Sequence, residues 1–135
     1  MTVALLAIAL ATQPLAGLER RRATILHFEI RLAAGLSPAA RAAATEIFAT
    51  DTRTIRRCAD AVAIAARYKE QRRFSGSILE RRNAAFAAIP VELRRELDKV
   101  PTGHATRVFG SGDIRRVLIA CTAPAVPAGA RAATV

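Results

Sequence analysis

The chain contains no tryptophan, one tyrosine, one methionine, two cysteines and two histidines among its 135 residues. With only five phenylalanines beside that tyrosine, it lacks an evident aromatic platform for stacking unpaired bases. RNA is therefore placed below double-stranded DNA as an expected partner. Two cysteines are too few to suggest a disulfide-stapled scaffold, and Cys58, within a helical stretch, reads as a small buried residue. Cys58, Cys121, His27 and His104 match no familiar closed zinc spacing, so no metal is expected.

Acidic groups are also scarce, 11 against 21 basic ones, which gives a formal charge of +10. No paired catalytic carboxylates and no nucleophile-base pair stand out. Gly103 and Gly110-Ser111-Gly112 lack the lysine and the glycine spacing of a phosphate loop. His104, near Thr102, Arg107, Ser111 and Asp113, reads as a surface or structural histidine. His27, between Leu26 and Phe28, reads as part of a packed helix, and Asp113 as a helix-start residue. The expectation is a non-enzymatic protein with no cofactor.

A membrane-spanning run is missing as well. The apolar stretch Thr2–Ala11 stops at Thr12-Gln13-Pro14, too short for an ordinary bilayer-spanning helix. No Lys or Arg precedes it, unlike the start of a secretory signal. Residues 1–14 read as an apolar segment, buried or covered by a partner, with export or membrane anchoring as the minor alternative. The expected setting is cytoplasmic or nucleoid-associated.

What the chain has in quantity is alanine and arginine. Alanine, arginine, leucine and glutamate all favour helix, although alanine buries little apolar area per residue. The excess of arginine favours a polyanion, because a planar guanidinium makes paired hydrogen bonds to phosphate or guanine. Residues 15–34 read as a helix stopped at Gly35. Ser37-Pro38 is a helix-start signal, giving a helix from Pro38 to about Ala49 and, after a break, a longer one toward Arg73. Ser77 and Glu80 fit a capping box for a further helix to Ile89, and Pro90–Val100 forms a short amphipathic segment. Residues 104–109 read as a short strand or irregular segment. Residues 114–121 fit either helix or strand, and helix is preferred. These readings give an all-α domain over 15–121, followed by a Pro- and Ala-containing tail over 122–135 expected to be flexible.

One motif points to a function. Phe48-Ala49-Thr50-Asp51-Thr52-Arg53-Thr54-Ile55-Arg56-Arg57 resembles the turn and second helix of bacterial helix-turn-helix DNA-binding proteins, within a unit spanning 38–66. In that resemblance Phe48 is the large apolar residue, Ala49 stands at the glycine position and Asp51 is the cap. Thr54 and Ile55 form the Thr-Val-like pair, and Arg57 is the recurrent basic residue. The chain departs from the pattern at Thr45, where Ala or Gly is usual, and at Thr50, where an apolar residue is usual. The resemblance implies a helix beginning near Thr52 inserted into the major groove, as in transcriptional regulators, often as a homodimer on paired half-sites. Thr52, Arg53, Arg56 and Arg57 would then lie near base edges or phosphate, with Arg41, Arg67, Lys69, Arg72 and Arg73 on the backbone. The alternative is a helical adaptor that binds another protein; membrane association ranks below both.

Overall fold

In a computed structural model, the structure describes residues 21–121. The apolar segment expected over 1–14 and the tail expected over 122–135 lie outside them. The described region is a mixed α/β domain, which overturns the all-α expectation. Its elements run β1 (Arg22–Leu32), α1 (Pro38–Thr52), α2 (Cys58–Arg67), β2 (Phe74–Ala85), α3 (Val91–Asp98) and β3 (Ile114–Ala120). The strands form one antiparallel sheet in the order β2-β1-β3.

Three segments expected as helix are strands, and the reason is a period. From Leu26 to Leu32 the chain alternates Leu-His-Phe-Glu-Ile-Arg-Leu, which turns the apolar residues to one face of a strand. Leu26, Phe28, Ile30 and Leu32 are all buried, while His27 and Glu29 are partly exposed and Arg31 is exposed. The Ser77–Glu80 pair caps nothing, because both residues lie within β2 and pair with Glu29 and Leu26. The β-branched run through Val117 and Ile119 is β3, the central strand's other partner. Residues 105–109 run beside β3 as an irregular extension, with isolated bridges from Ala105 to Ile119 and from Phe109 to Arg116.

At Ser37-Pro38 the expected helix start is present. The Ser37 side chain accepts from the Ala40 N–H at 3.1 Å, and Pro38 follows at the head of α1. Ala44, Phe48 and Thr52 form the narrow buried stripe of α1, and Ala61 and Ile64 that of α2. Both helices cover the face of the sheet that carries Leu26, Phe28, Ile30, Val117 and Ile119. Phe28 and Phe48 meet edge to face at 5.1 Å, and Tyr68 and Phe74 do so at 4.8 Å. The Tyr68 hydroxyl donates to Asp51 at 2.6 Å, and burial followed by that bond pushes its pKa up.

Cys58 is not a free buried thiol. It is bonded to Cys121, tying the start of α2 to the residue after β3 across a sequence separation of 63. Disulfides persist in oxidising compartments, so this bond overturns the cytoplasmic expectation. It also removes both cysteines from any Cys/His ligand set.

The opposite face of the sheet is only half covered. Ala23, Ile25, Leu118 and Ala120 pack there with Phe86, Leu97, Ala84, Ile89, Leu93 and Phe109, beneath α3 and the short 3-10 turn Phe86–Ala88. Glu96, one turn from Leu93, accepts from Arg107 Nε at 2.9 Å and Lys99 Nζ at 3.1 Å. Those two cations hold its carboxyl below the usual range, Arg107 foremost. This pairing ties α3 to the extension beside β3.

Candidate functional site

The helix pair does not make a groove-reading unit. The second helix begins at Cys58, six residues beyond Thr52, and Thr52 closes the first helix instead. Thr52 is 2% exposed and its hydroxyl donates to the Phe48 carbonyl at 2.8 Å, so it has no face to offer a base. Helix α2 lays Ala61 and Ile64 on the sheet and is bonded through Cys58 to the end of β3. A helix held flat against a sheet in this way is not free to enter a groove, and the helix-turn-helix reading is corrected on that ground.

The basic residues of that motif also do other work. Arg41 donates to Asp113 at 2.8 Å and to the Gly112 carbonyl at 2.6 Å, securing the turn before β3; Asp113 starts no helix. The Arg56 guanidinium donates to the carbonyls of Arg53 and Ile55, and Arg57 lies 3.7 Å from Asp60. Arg53 pairs loosely with Glu46 at 3.8 Å. Arg67, Lys69, Arg72 and Arg73 are exposed at the end of α2 and on the path into β2.

The stronger site is on the half-covered face. Strand pairing sets its residues in rungs: Ile25 lies between Arg81 and Ala120, His27 between Leu79 and Leu118, and Glu29 between Ser77 and Arg116. A bulge shapes the first rung. Ala23 pairs with Ala84 and Ile25 with Arg81, leaving Arg82 and Asn83 opposite Thr24 alone. Asn83 takes φ 52°, and its carbonyl accepts from Arg22 at 3.1 Å. The extra residue puts Arg81 and Ala84, three apart, on the same face of the sheet.

Between this face and α3 lies a half-open cleft of about 470 Å³. Its floor and walls are Ile25, Leu118, Ala84, Ala85, Ala88, Ile89, Pro90 and Leu93, with His27, Arg81 and Arg82 at the rim. His27 and Arg81 also line a second hollow of about 290 Å³ that continues over Glu29, Ser77, Leu79 and Arg116. The two hollows therefore form one track across the sheet, apolar at the α3 end and charged at the other.

The electrostatics of the charged end are positive. Burial lowers the His27 pKa most, and the neighbouring Arg81 and Arg116 lower it further, against an opposing pull from Glu29. Glu29 pairs with Arg116 at 3.2 Å. The Arg116 Nε is buried and has no acceptor among the described protein atoms. The site thus offers hydrogen-bond donors beside an apolar floor.

None of these residues was singled out from sequence as a site. The signal that marks them is the period-two alternation of β1, which sends His27, Glu29 and Arg31 to the face opposite Phe28. His104 lies in the turn ahead of the extension beside β3, away from this track. No protein-family model, curated protein or solved structure matches the chain.

Proposed function

We propose that the domain binds other polypeptides, taking an apolar side chain of an extended segment into the cleft between the sheet and α3. The observation that carries this reading is the cleft itself: an apolar hollow of about 470 Å³ with donors gathered at one rim. A cleft open at the charged end admits one side chain of a longer chain, and the main chain on either side can lie across the sheet. The disulfide supports a working place in an oxidising compartment, where such segments belong to exported proteins.

The outer edge of β2 favours a polypeptide over a compact ligand. Strand β2 has β1 as its only strand neighbour, so its outer backbone groups have no ladder partner among the described residues. An extended segment can pair there while its side chain enters the cleft.

The test is an amide NMR titration of the full-length oxidised protein with uncharged pentapeptides whose central residue is Leu, Phe, Pro or Gly. Expected shifts fall on Ile25, His27, Ala84, Ile89 and Leu93 with the apolar peptides and not with the glycine control. Substituting the exposed Ala88→Tyr, which fills the mouth, abolishes them. Shifts confined to other surfaces, or unchanged in A88Y, would overturn the reading.

A further inference from the structure

Resting on the peptide-binding reading, we propose that the cleft selects segments in which an acidic side chain lies two positions from the apolar one, its carboxylate held by Arg81 and Arg116.

The argument starts from the count of charges on the track. Three groups that are cationic or can become so, His27, Arg81 and Arg116, line the second hollow, against one carboxylate, Glu29. Glu29 engages Arg116 through Nη2, at 3.2 Å, and the Arg116 side chain is 37% exposed, so part of its donor set stays open to a second acceptor. A guanidinium presents five donors in a fixed plane, and one carboxylate oxygen satisfies few of them. An incoming carboxylate can take an Nη donor that Glu29 leaves, and Arg81 lies two rungs along the same face, on the other side of β1.

Position supplies the rest. His27 and Arg81 line both hollows, so the charged end begins where the apolar floor stops. Along an extended chain, neighbouring residues advance by about 3.3 Å and alternate faces. An acidic residue two positions from the buried apolar residue shares its face and therefore reaches toward the guanidinium groups without a turn in the chain. Lysine at that place would instead meet like charge. The apolar floor and the cationic rim also suit a fatty acid, but the open track and the free strand edge favour a peptide.

The experiment compares three peptides of one length and sequence, differing only in whether Glu, Gln or Lys sits two positions from a central Leu. Binding to the full-length oxidised protein is read by NMR titration at two salt concentrations. Expected is affinity for the Glu peptide on the order of tenfold above the Gln peptide, with Lys weakest and the Glu advantage shrinking as salt rises. In Arg81→Gln, and separately in Arg116→Gln, the ratio of Glu-peptide to Gln-peptide affinity falls toward one, and that ratio is the readout. R81Q alters an exposed side chain, so it keeps the test valid if R116Q fails to fold. Equal binding of Glu and Gln peptides in the unaltered protein sinks the acidic selection and leaves the apolar cleft standing. Binding of none of the three sinks both. Decanoate binding in the cleft with no binding by any peptide assigns it to a fatty acid and overturns the peptide proposal.

Discussion

The two faces of the sheet are built from the same three strands, yet they are finished differently. The face under α1 and α2 is closed: Phe28, Phe48, Tyr68 and Phe74 interlock, and the Cys58–Cys121 bond fastens helix to sheet. The face under α3 is closed only at one end, around Ile25, Phe86 and Leu118, and then gives way to His27, Glu29 and Arg116. Alternation along β1 assigns every second residue to each face, so a single strand supplies both a sealed core and an open track. The aromatic cluster is gathered on one side, which leaves the other to carry charged groups that a closed core would not tolerate.

The largest expected effect breaks the closed face. Phe28→Ala removes a fully buried ring at the centre of the aromatic cluster and is expected to cost about 3–5 kcal/mol. Leu79→Ala, on the other face and 55% exposed, is expected to change stability by no more than about 0.5 kcal/mol. Urea denaturation of both variants checks the contrast. Comparable losses would mean that the open face is also structural.

Next comes the disulfide. Closing a loop of 63 residues restricts the unfolded chain, and its loss in a Cys58→Ser, Cys121→Ser double variant is expected to cost about 2–4 kcal/mol. Because the bond fastens only the helix-covered side, hydrogen exchange should accelerate first in α2 and leave α3 less affected. Uniform acceleration would show that the two faces unfold as one.

The same asymmetry explains what was legible in the sequence. Helix α1 was readable because Ser37 and Pro38 state its start chemically, within a few residues. The strands were missed because alanine and arginine raise helix propensity everywhere, and the period of Leu26–Leu32 was outweighed by composition. Cys58 and Cys121 gave no pairing signal, since contact across 63 residues depends on the sheet already being formed. The site was hidden for a related reason: His27, Arg81 and Arg116 come from three strands and share a face only once register and bulge are set. The motif from Phe48 to Arg57 set the break and the second helix too early: Phe48 to Thr52 still belong to α1, and Arg53 to Arg57 are the break. Its local pattern could not show that Thr52 is buried or that α2 is bonded to the end of β3.

A smaller effect tests the seam between α3's side of the sheet and its irregular extension. The buried Thr106 hydroxyl accepts from the Leu118 N–H at 3.0 Å and donates to the Arg107 carbonyl at 3.0 Å. Thr106→Val keeps the shape but strands a buried amide, at a cost of about 1–3 kcal/mol. Thr106→Ser should recover most of it. If valine and serine behave alike in thermal melts, the bond contributes nothing and packing alone holds the extension.

The smallest effect is a dependence on pH, and it belongs to the open face alone. His27 has its pKa lowered by burial, then by Arg81 and Arg116, with Glu29 opposing. In the unfolded chain the same imidazole takes up a proton near pH 6.5, as an unperturbed histidine does. As pH falls through that value the unfolded state binds the proton first, so stability declines on acidification. It levels off once the folded histidine is protonated too. Above about pH 7 the group contributes no slope, because both states hold it neutral. The carboxylate held down by Arg107 and Lys99, Glu96, acts in the same direction but only at lower pH, in the carboxylate range. Urea midpoints between about pH 5 and pH 7 therefore isolate the histidine. His27→Gln should flatten the curve there, and Arg81→Gln should reduce its slope by removing one of the two repelling charges. Identical slopes in the unaltered protein and H27Q would place the proton-linked group elsewhere.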